Sequence, residues 1–367
     1  MSDYSCALAQ GKSAQAIATA CASRLHGHGG HNLGFVYATD PIAPQFGKLV
    51  DGLREHTGIS HWVGTVGHGI CGPGTEIFDG AAAVVLTGKF PDPNFNLLPP
   101  VTRPTPPKGL TQPGFVAGFG IVHGDPRSQE ITAIVKTLAD TTGAFLVGGL
   151  SSADNDFPQV AGGKLTDKGV SGVLLGGRLN VAVGLTQGCS PVGPTHEVTS
   201  CDGQLLIQLD GRNAYETLCE DVGIAEGADP RPWLRDVHAA VPVSGTDQAD
   251  YLVRNLMGLD TQRGLVAVTE AFEKGDRVMF VRRDVESARK DLNRMLDDLK
   301  ERLSAPPKAG LYFSCVARGP NLFDETSHEL KAIRAAFGDI PIAGFFGNGE
   351  ISNDRLYGYT GVLALFS

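Results

Sequence analysis

Three stretches of this chain carry apolar residues at three-and-four spacing and stop at a glycine. They are Phe46, Leu49, Val50 and Leu53 before Gly58; Ile131, Ile134, Val135 and Leu138 before Gly143; and Leu330, Ile333 and Phe337 before Gly338. Each pattern predicts an amphipathic helix capped by its glycine, which enters the left-handed region without a Cβ penalty. Six residues after each cap stands a further glycine: Gly64, Gly149 and Gly344. An apolar strand precedes each helix (LGFVYAT from 33, FVAGFGIV from 115, GLYFSCV from 310) and another lies downstream (AAAVVL from 81, SGVLL from 171, TGVLALF from 360). The chain thus reads as one β-α-β-β unit written three times. The fold class is α/β of the mixed α+β kind, with repeated units forming mixed sheets flanked by helices, in two lobes.

Different material separates the second and third units. It predicts a strand NVAVGLTQG from 180, a helix around NAYETLCEDVG, and a strand pair GLVAVTE and RVMFVRRD. A long amphipathic helix follows, capped by Asp284 and apolar along Val285, Ala288, Leu292, Met295, Leu296, Leu299 and Leu303; it is expected to cover a sheet. The stretch 91–114 holds eight of the 22 prolines and predicts a stiff extended loop between units one and two. A second connector, weaker as a lobe boundary, spans 226–247. Residues 1–31 predict an N-terminal helix and loop.

Composition narrows the function classes. Net charge is −9, from 31 Lys+Arg against 40 Asp+Glu, so no basic stripe is available to neutralise phosphates and nucleic acid is not an expected partner. No apolar run approaches a membrane span and no leader is visible, so the expectation is a cytoplasmic protein with no membrane contact. The seven cysteines are scattered without a C-x-x-C pair, as for reduced thiols. The 48 glycines, many just after apolar runs, mark turns and close backbone approaches.

Candidate chemistry gathers at those strand ends. Cys315 closes the strand GLYFS, with Arg318 and Gly319 just beyond, where ligands bind in open α/β sheets. As a nucleophile Cys315 would make a thiol enzyme, but no base accompanies it and no nucleophile elbow is present, so the expectation leans away from catalysis. GFFGNGEI (344–351) places Gly347, Asn348, Gly349 and Glu350 on a glycine loop whose N–H groups are expected to cradle an anion. It is not a dinucleotide fingerprint, because no helix opens on its last glycine. Arg318 suits a carboxylate and Glu350 an ammonium group, which together describe an amino acid. Equivalent positions in the other units add Gly149, Ser151 and Ser152 from GGLSS, and His68 from GTVGHGIC; Gln187 and Cys189 follow another strand. His26, His28 and His31 are dense enough for a metal but sit in a glycine-rich connection, so adventitious binding is the expectation.

Read together, QGCSPVGPTHEVT (187–199), LDGRNAYETL, YLVRN (251–255), SCVARG (314–319) and the terminal GFFGNGEIS…YGYTGVLAL resemble the FIST family, FIST N followed by FIST C. The resemblance implies a stand-alone bacterial sensory protein with a FIST N-like domain at 32–230, a FIST C-like domain at 231–367 and no output domain of its own. It would take a small metabolite, an amino acid or similar, and act on a signalling partner in trans. No cofactor is expected; the alternative is a haem-binding nitric-oxide sensor with His61, His68 or His196 as the proximal ligand.

Overall fold

The computed structural model describes residues 3–26, 29–90, 94–105, 110, 114–162, 164–177, 179–225, 229, 232–243 and 250–367. The chain forms two compact units, Met1–Thr186 with Leu292–Ser367, and Gln187–Asp291. All three repeats lie in the first. The fold is mixed α+β, as the apolar patterning predicts.

Each repeat builds the same half of a six-stranded sheet. Its first strand (Leu33–Thr39, Ala117–Gly124, Ala309–Cys315) pairs in parallel with its second (His61–Gly67, Phe145–Leu150, Ile342–Gly347) and antiparallel with its last (Ala82–Gly88, Val170–Gly176, Thr360–Phe366). The register fixes the recurring glycine. Gly64 lies opposite Val36, Gly148 opposite Val122 and Gly344 opposite Tyr312. A Cβ at these glycines would stand 1.8, 1.8 and 1.7 Å from the opposite carbonyl oxygen, so only glycine lets the two strands meet. The second-repeat equivalent is therefore Gly148 and not Gly149, because its link from capping Gly143 into the strand is one residue shorter than those from Gly58 and Gly338.

Between its second and last strands every repeat also makes a short hairpin, so the unit is β-α-β-hairpin-β. No hairpin stays in its own sheet. Gly69–Gly72 with Thr75–Ile77 joins the third repeat's sheet, Glu350–Ser352 with Arg355–Tyr357 joins the second, and Gln159–Ala161 with Lys164–Thr166 joins the first. The exchange is a closed cycle. At the opposite edge each sheet gains one more strand: Tyr4–Gln10, Phe95–Val101 and Val181–Gln187. The first of these precedes the helix Ala14–Arg24 in the stretch read as helix and loop, and the second lies in the proline-rich stretch read as a loop. That reading of 95–101 is corrected: Pro99 and Pro100 are tolerated because the strand is an edge, and they fall where the register slips between Val170 and Gly172. The described remainder of 91–114 forms no other strand or helix.

One face of all three sheets packs into a shared core containing Phe35, Tyr37, Ile121, Val147, Phe313 and Phe345. Each such side chain contributes roughly 1.5–3 kcal/mol on burial. At its centre stand Tyr37, His123 and Phe313, each one residue past the strand position that faces a repeat glycine. Their ring centroids lie 5.4, 5.9 and 6.3 Å apart. His123 fills an aromatic position: burial pushes it down to about 3, so it stays neutral, and its Nε2 shares a 3.3 Å hydrogen bond with the Tyr37 hydroxyl. The outer faces take helices. Ala14–Arg24 and Phe46–Thr57 cover the first sheet, Ile131–Thr142 the second, and His328–Phe337 the third. Val285–Arg302 also covers the third through Leu292, Met295, Leu296 and Leu299, and Asp284 caps it by accepting from the Ser287 N–H at 2.8 Å. No helix among the described residues is long and apolar enough to cross a membrane.

In the second unit an antiparallel sheet packs on the helix Ala214–Val222, around Val198, Leu206, Leu218, Val237 and Phe280. The Asn213 side chain caps that helix, accepting from Tyr215 N and Glu216 N, and Gly223 ends it at φ 75°. Leu265–Val268 and Arg277–Arg283 are strands as expected but not neighbours: the first pairs with Leu205–Leu209 and Leu256–Asp260, the second with Cys189–Pro191, His196–Asp202 and Val237–Pro242. Val237–Pro242, in the stretch read as a connector, is a strand of this sheet, paired on its other side with Tyr251–Arg254; residues 226–228, 230–231 and 244–249 lie outside the described residues.

Candidate functional site

The three bends where each chain segment leaves its own sheet for a neighbour's meet at one place. Leu150 N–H donates to Gly349 O at 2.8 Å, Asn348 N–H to Leu150 O at 3.0 Å, and Ser152 N–H to Val66 O at 3.2 Å. Ser152 ties all three together, its Oγ accepting from His68 N–H at 2.9 Å and donating to Phe346 O at 2.5 Å. Ser151 Oγ pairs with Thr65 Oγ1 at 2.6 Å. Backbones touch here: a Cβ on Gly347 would stand 2.8 Å from Leu150 O, and one on Gly149 3.0 Å from Gly349 O. Of the loop expected to cradle an anion, the Asn348 N–H is already bonded within the junction, as is the His68 N–H in the equivalent bend of the first repeat. Their side chains occupy equivalent places in two repeats, and both are exposed.

Arg318 faces inward. Its Nε donates to Glu329 Oε1 at 2.8 Å, Nη2 lies 2.8 Å from the same oxygen, and both side chains are 0% exposed. Glu329 also accepts from the Tyr312 hydroxyl (2.5 Å), Ser314 Oγ (3.1 Å) and Gly319 N–H (3.2 Å). A guanidinium buried this far requires a carboxylate partner, and the pair is internal to the fold. Gly319, at φ 52°, packs against Phe346 and Phe78. Glu329 is the residue that sequence reasoning missed. Its signal is an acid one turn before Ile333 on the apolar face of its helix, which calls for a buried cation.

Glu350 lies opposite Gly149 in the register, and Cys315 opposite Gly347, so both adjoin the junction. Glu350 is fully buried. Its Oε2 accepts from Thr360 Oγ1 at 2.8 Å and from Thr360 N–H at 3.4 Å, while Oε1 has no partner. Burial raises its carboxyl to about 8 in spite of those bonds, so at neutral pH it carries a proton. Thr186 Oγ1, buried and also without a partner, belongs to the strand beside Gly361. Between Glu350's cap Thr360 and the hairpin stands Tyr359, held at φ 63°, a strained conformation for a bulky residue. Burial and then the neighbouring Glu350 push the Cys315 thiol far up, the reverse of what a nucleophile requires.

The remaining candidates sit elsewhere. Gln187 and Cys189 belong to the second unit, where Gln187 Nε2 donates to Tyr251 O at 3.3 Å and Cys189 is buried on a strand paired with Arg283. His196 is there too, its Nδ1 2.6 Å from Asp210 and its Nε2 2.8 Å from Asp221. Burial alone would lower it; the two carboxylates outweigh that and raise it. With both ring nitrogens bonded, His196 has none to offer an iron, which leaves His61, edge-on to Phe95 at 5.5 Å, and exposed His68 for the haem reading. His31 bonds Thr87 at 2.9 Å, His26 is exposed, and His28 lies outside the described residues.

Three repeats exchanging hairpins around a packed junction define a mixed α+β protein built from one repeated unit. The chain belongs to the FIST family: the FIST N domain matches residues 32–212 and the FIST C domain residues 214–353. FIST domains are sensory domains of signal-transduction proteins. The chain is 34% identical over 259 residues to a Mycobacterium tuberculosis protein, "Uncharacterized protein Rv0628c", covering 66% of each. It is 33% identical over 245 residues to the Mycobacterium bovis "Uncharacterized protein Mb0898c", covering 62% of this chain and 61% of that one.

Proposed function

We propose that the protein senses a small metabolite bearing a primary ammonium group, an amino acid or close analogue, at the hairpin junction, and passes the change to a partner in trans. The observation that carries this reading is Glu350, a fully buried carboxyl with one oxygen unpartnered. Such a group is costly to leave unsatisfied, and a ligand cation supplies what it lacks. Arg318 is engaged by Glu329, so the ligand carboxylate finds its donors among exposed Asn348, His68 and water. The strained turn at Tyr359 is the segment that yields to admit the ligand, and a sensor requires such a two-state element.

An ammonium group beside Glu350 favours the ionised carboxylate, so binding at pH 7 releases about one proton. Affinity then rises roughly tenfold per pH unit toward about 8 and levels off above it. The test is a thermal-shift screen of the twenty amino acids against wild type and Glu350→Gln, followed by calorimetry of the responders in two buffers of different ionisation enthalpy. At a hundred times its dissociation constant a true ligand adds about 2.7 kcal/mol to wild type, and the variant loses the effect. If no amino acid stabilises wild type, or Glu350→Gln responds equally, the reading fails.

A further inference from the structure

The three added edge strands each border the sheet of another repeat, and two of them do so in close contact. On Phe95–Val101 the Phe95 ring meets His61 of the first sheet at 5.5 Å, and Leu97 fills the space over Gly162, where a Cβ would stand 2.0 Å from Leu97 Cδ1. On Tyr4–Gln10 the Cys6 thiol donates to Ile342 O of the third sheet at 3.1 Å. Val181–Gln187 borders the second sheet in the corresponding way, but there a cavity of about 330 Å³ remains. Its walls are Val181 and Val183 on one side and Phe119, Phe145 and Leu175 on the other. Phe145 holds the place of His61, three residues before the repeat glycine, and with no Phe95 counterpart upon it the ring is 37% exposed. Gly118 forms part of the lining, and a Cβ there would meet nothing within 4 Å.

Among the described residues the one charged lining residue is Arg302. Its Nη2 donates to Val183 O at 2.8 Å and its Nε to Asp298 O at 3.4 Å, which fixes the guanidinium at the rim. Those two bonds use two of five N–H donors, so a forked donor set remains for an anion. We infer that this seam is a second ligand site, for a monocarboxylate with an apolar body: the body lies between Phe119, Phe145 and the valines, and the carboxylate pairs with Arg302. A cavity of this volume, apolar among its described residues but for one oriented cation, matches the general form of small-molecule sites. The inference is independent of the reading of Glu350.

Sodium octanoate is the probe, with octanol as its uncharged counterpart, titrated calorimetrically into the whole protein. Wild type is expected to bind octanoate saturably at one site and octanol more weakly. Arg302→Gln weakens octanoate about fivefold, the scale of a solvent-facing charge pair, and leaves octanol unchanged. Gly118→Leu fills the cavity and abolishes binding of both, with the circular dichroism of wild type. Should Gly118→Leu fail to fold, the Arg302→Gln comparison of octanoate with octanol decides alone. No saturable binding to wild type, equal binding of octanol and octanoate, or an Arg302→Gln protein that binds octanoate like wild type overturns the proposal.

Discussion

Gly344→Ala is expected to leave the chain without a native fold. The added Cβ would stand 1.7 Å from Tyr312 O and 2.6 Å from its carbonyl carbon. Those atoms are backbone in a parallel pair buried on both faces, so relief requires parting Ala309–Cys315 from Ile342–Gly347. The cost exceeds the ~4–5 kcal/mol that marks an exceptional single substitution, against a total stability of about 5–15 kcal/mol. Soluble yield, far-ultraviolet circular dichroism and thermal unfolding report it. Gly64→Ala and Gly148→Ala behave alike, because each meets its opposite carbonyl at 1.8 Å. Gly118→Ala, with nothing within 4 Å, stays within about 0.5 kcal/mol of wild type. A Gly344→Ala protein that melts with wild type would contradict the register.

Glu329→Gln is the second large effect. The substitution removes the carboxylate paired with Arg318, which is 0% exposed, and breaking one side of a buried pair costs roughly 3–5 kcal/mol. The loss appears as a lower urea midpoint. Arg318→Met combined with Glu329→Gln removes the stranded charge, and so is less destabilised than Glu329→Gln alone. Ser314→Ala, which deletes only one of the hydrogen bonds to Glu329, costs about 1 kcal/mol. A Glu329→Gln protein as stable as wild type would contradict the buried pair with Arg318.

Much of this architecture is legible in the amino-acid pattern because it is local. The helices ending at Gly58, Gly143 and Gly338 and the strands before and after them follow from apolar spacing and a cap. What is not local is hidden. The exchanged hairpins have strands of three or four residues, too short for periodicity, and each finds its partner in another repeat. The shift from Gly149 to Gly148 is a matter of register, visible only once Val122 is placed opposite. Of the candidate site, Glu350, Cys315, Asn348, His68, Ser151 and Ser152 come together as equivalence between repeats suggests. Their roles divide by burial: the serines and glycines hold the junction, while Glu350, among these six, pairs deep burial with an open oxygen. Arg318 turned inward because Glu329, on the face of the helix that follows, meets it at the strand end.

Glu350's proton is the centre of the account. Unfolded, this carboxyl ionises near the ordinary glutamate value; folded, burial lifts it to about 8. Between those limits the native state holds a proton that the unfolded chain has lost, so this residue's contribution makes stability fall as pH rises through the window and level off above it. Buried Glu76, also raised to about 8, adds a second step of the same sign. The direct measurement is the infrared carboxyl stretch followed from pH 5 to 10 in wild type and in Glu350→Gln, their difference isolating one group. The account predicts a protonated-carboxyl band at pH 7 that disappears near pH 8 and is missing from the variant. A difference spectrum with no such band at pH 7 would mean that Glu350 is already ionised and that nothing at the junction waits for an ammonium group.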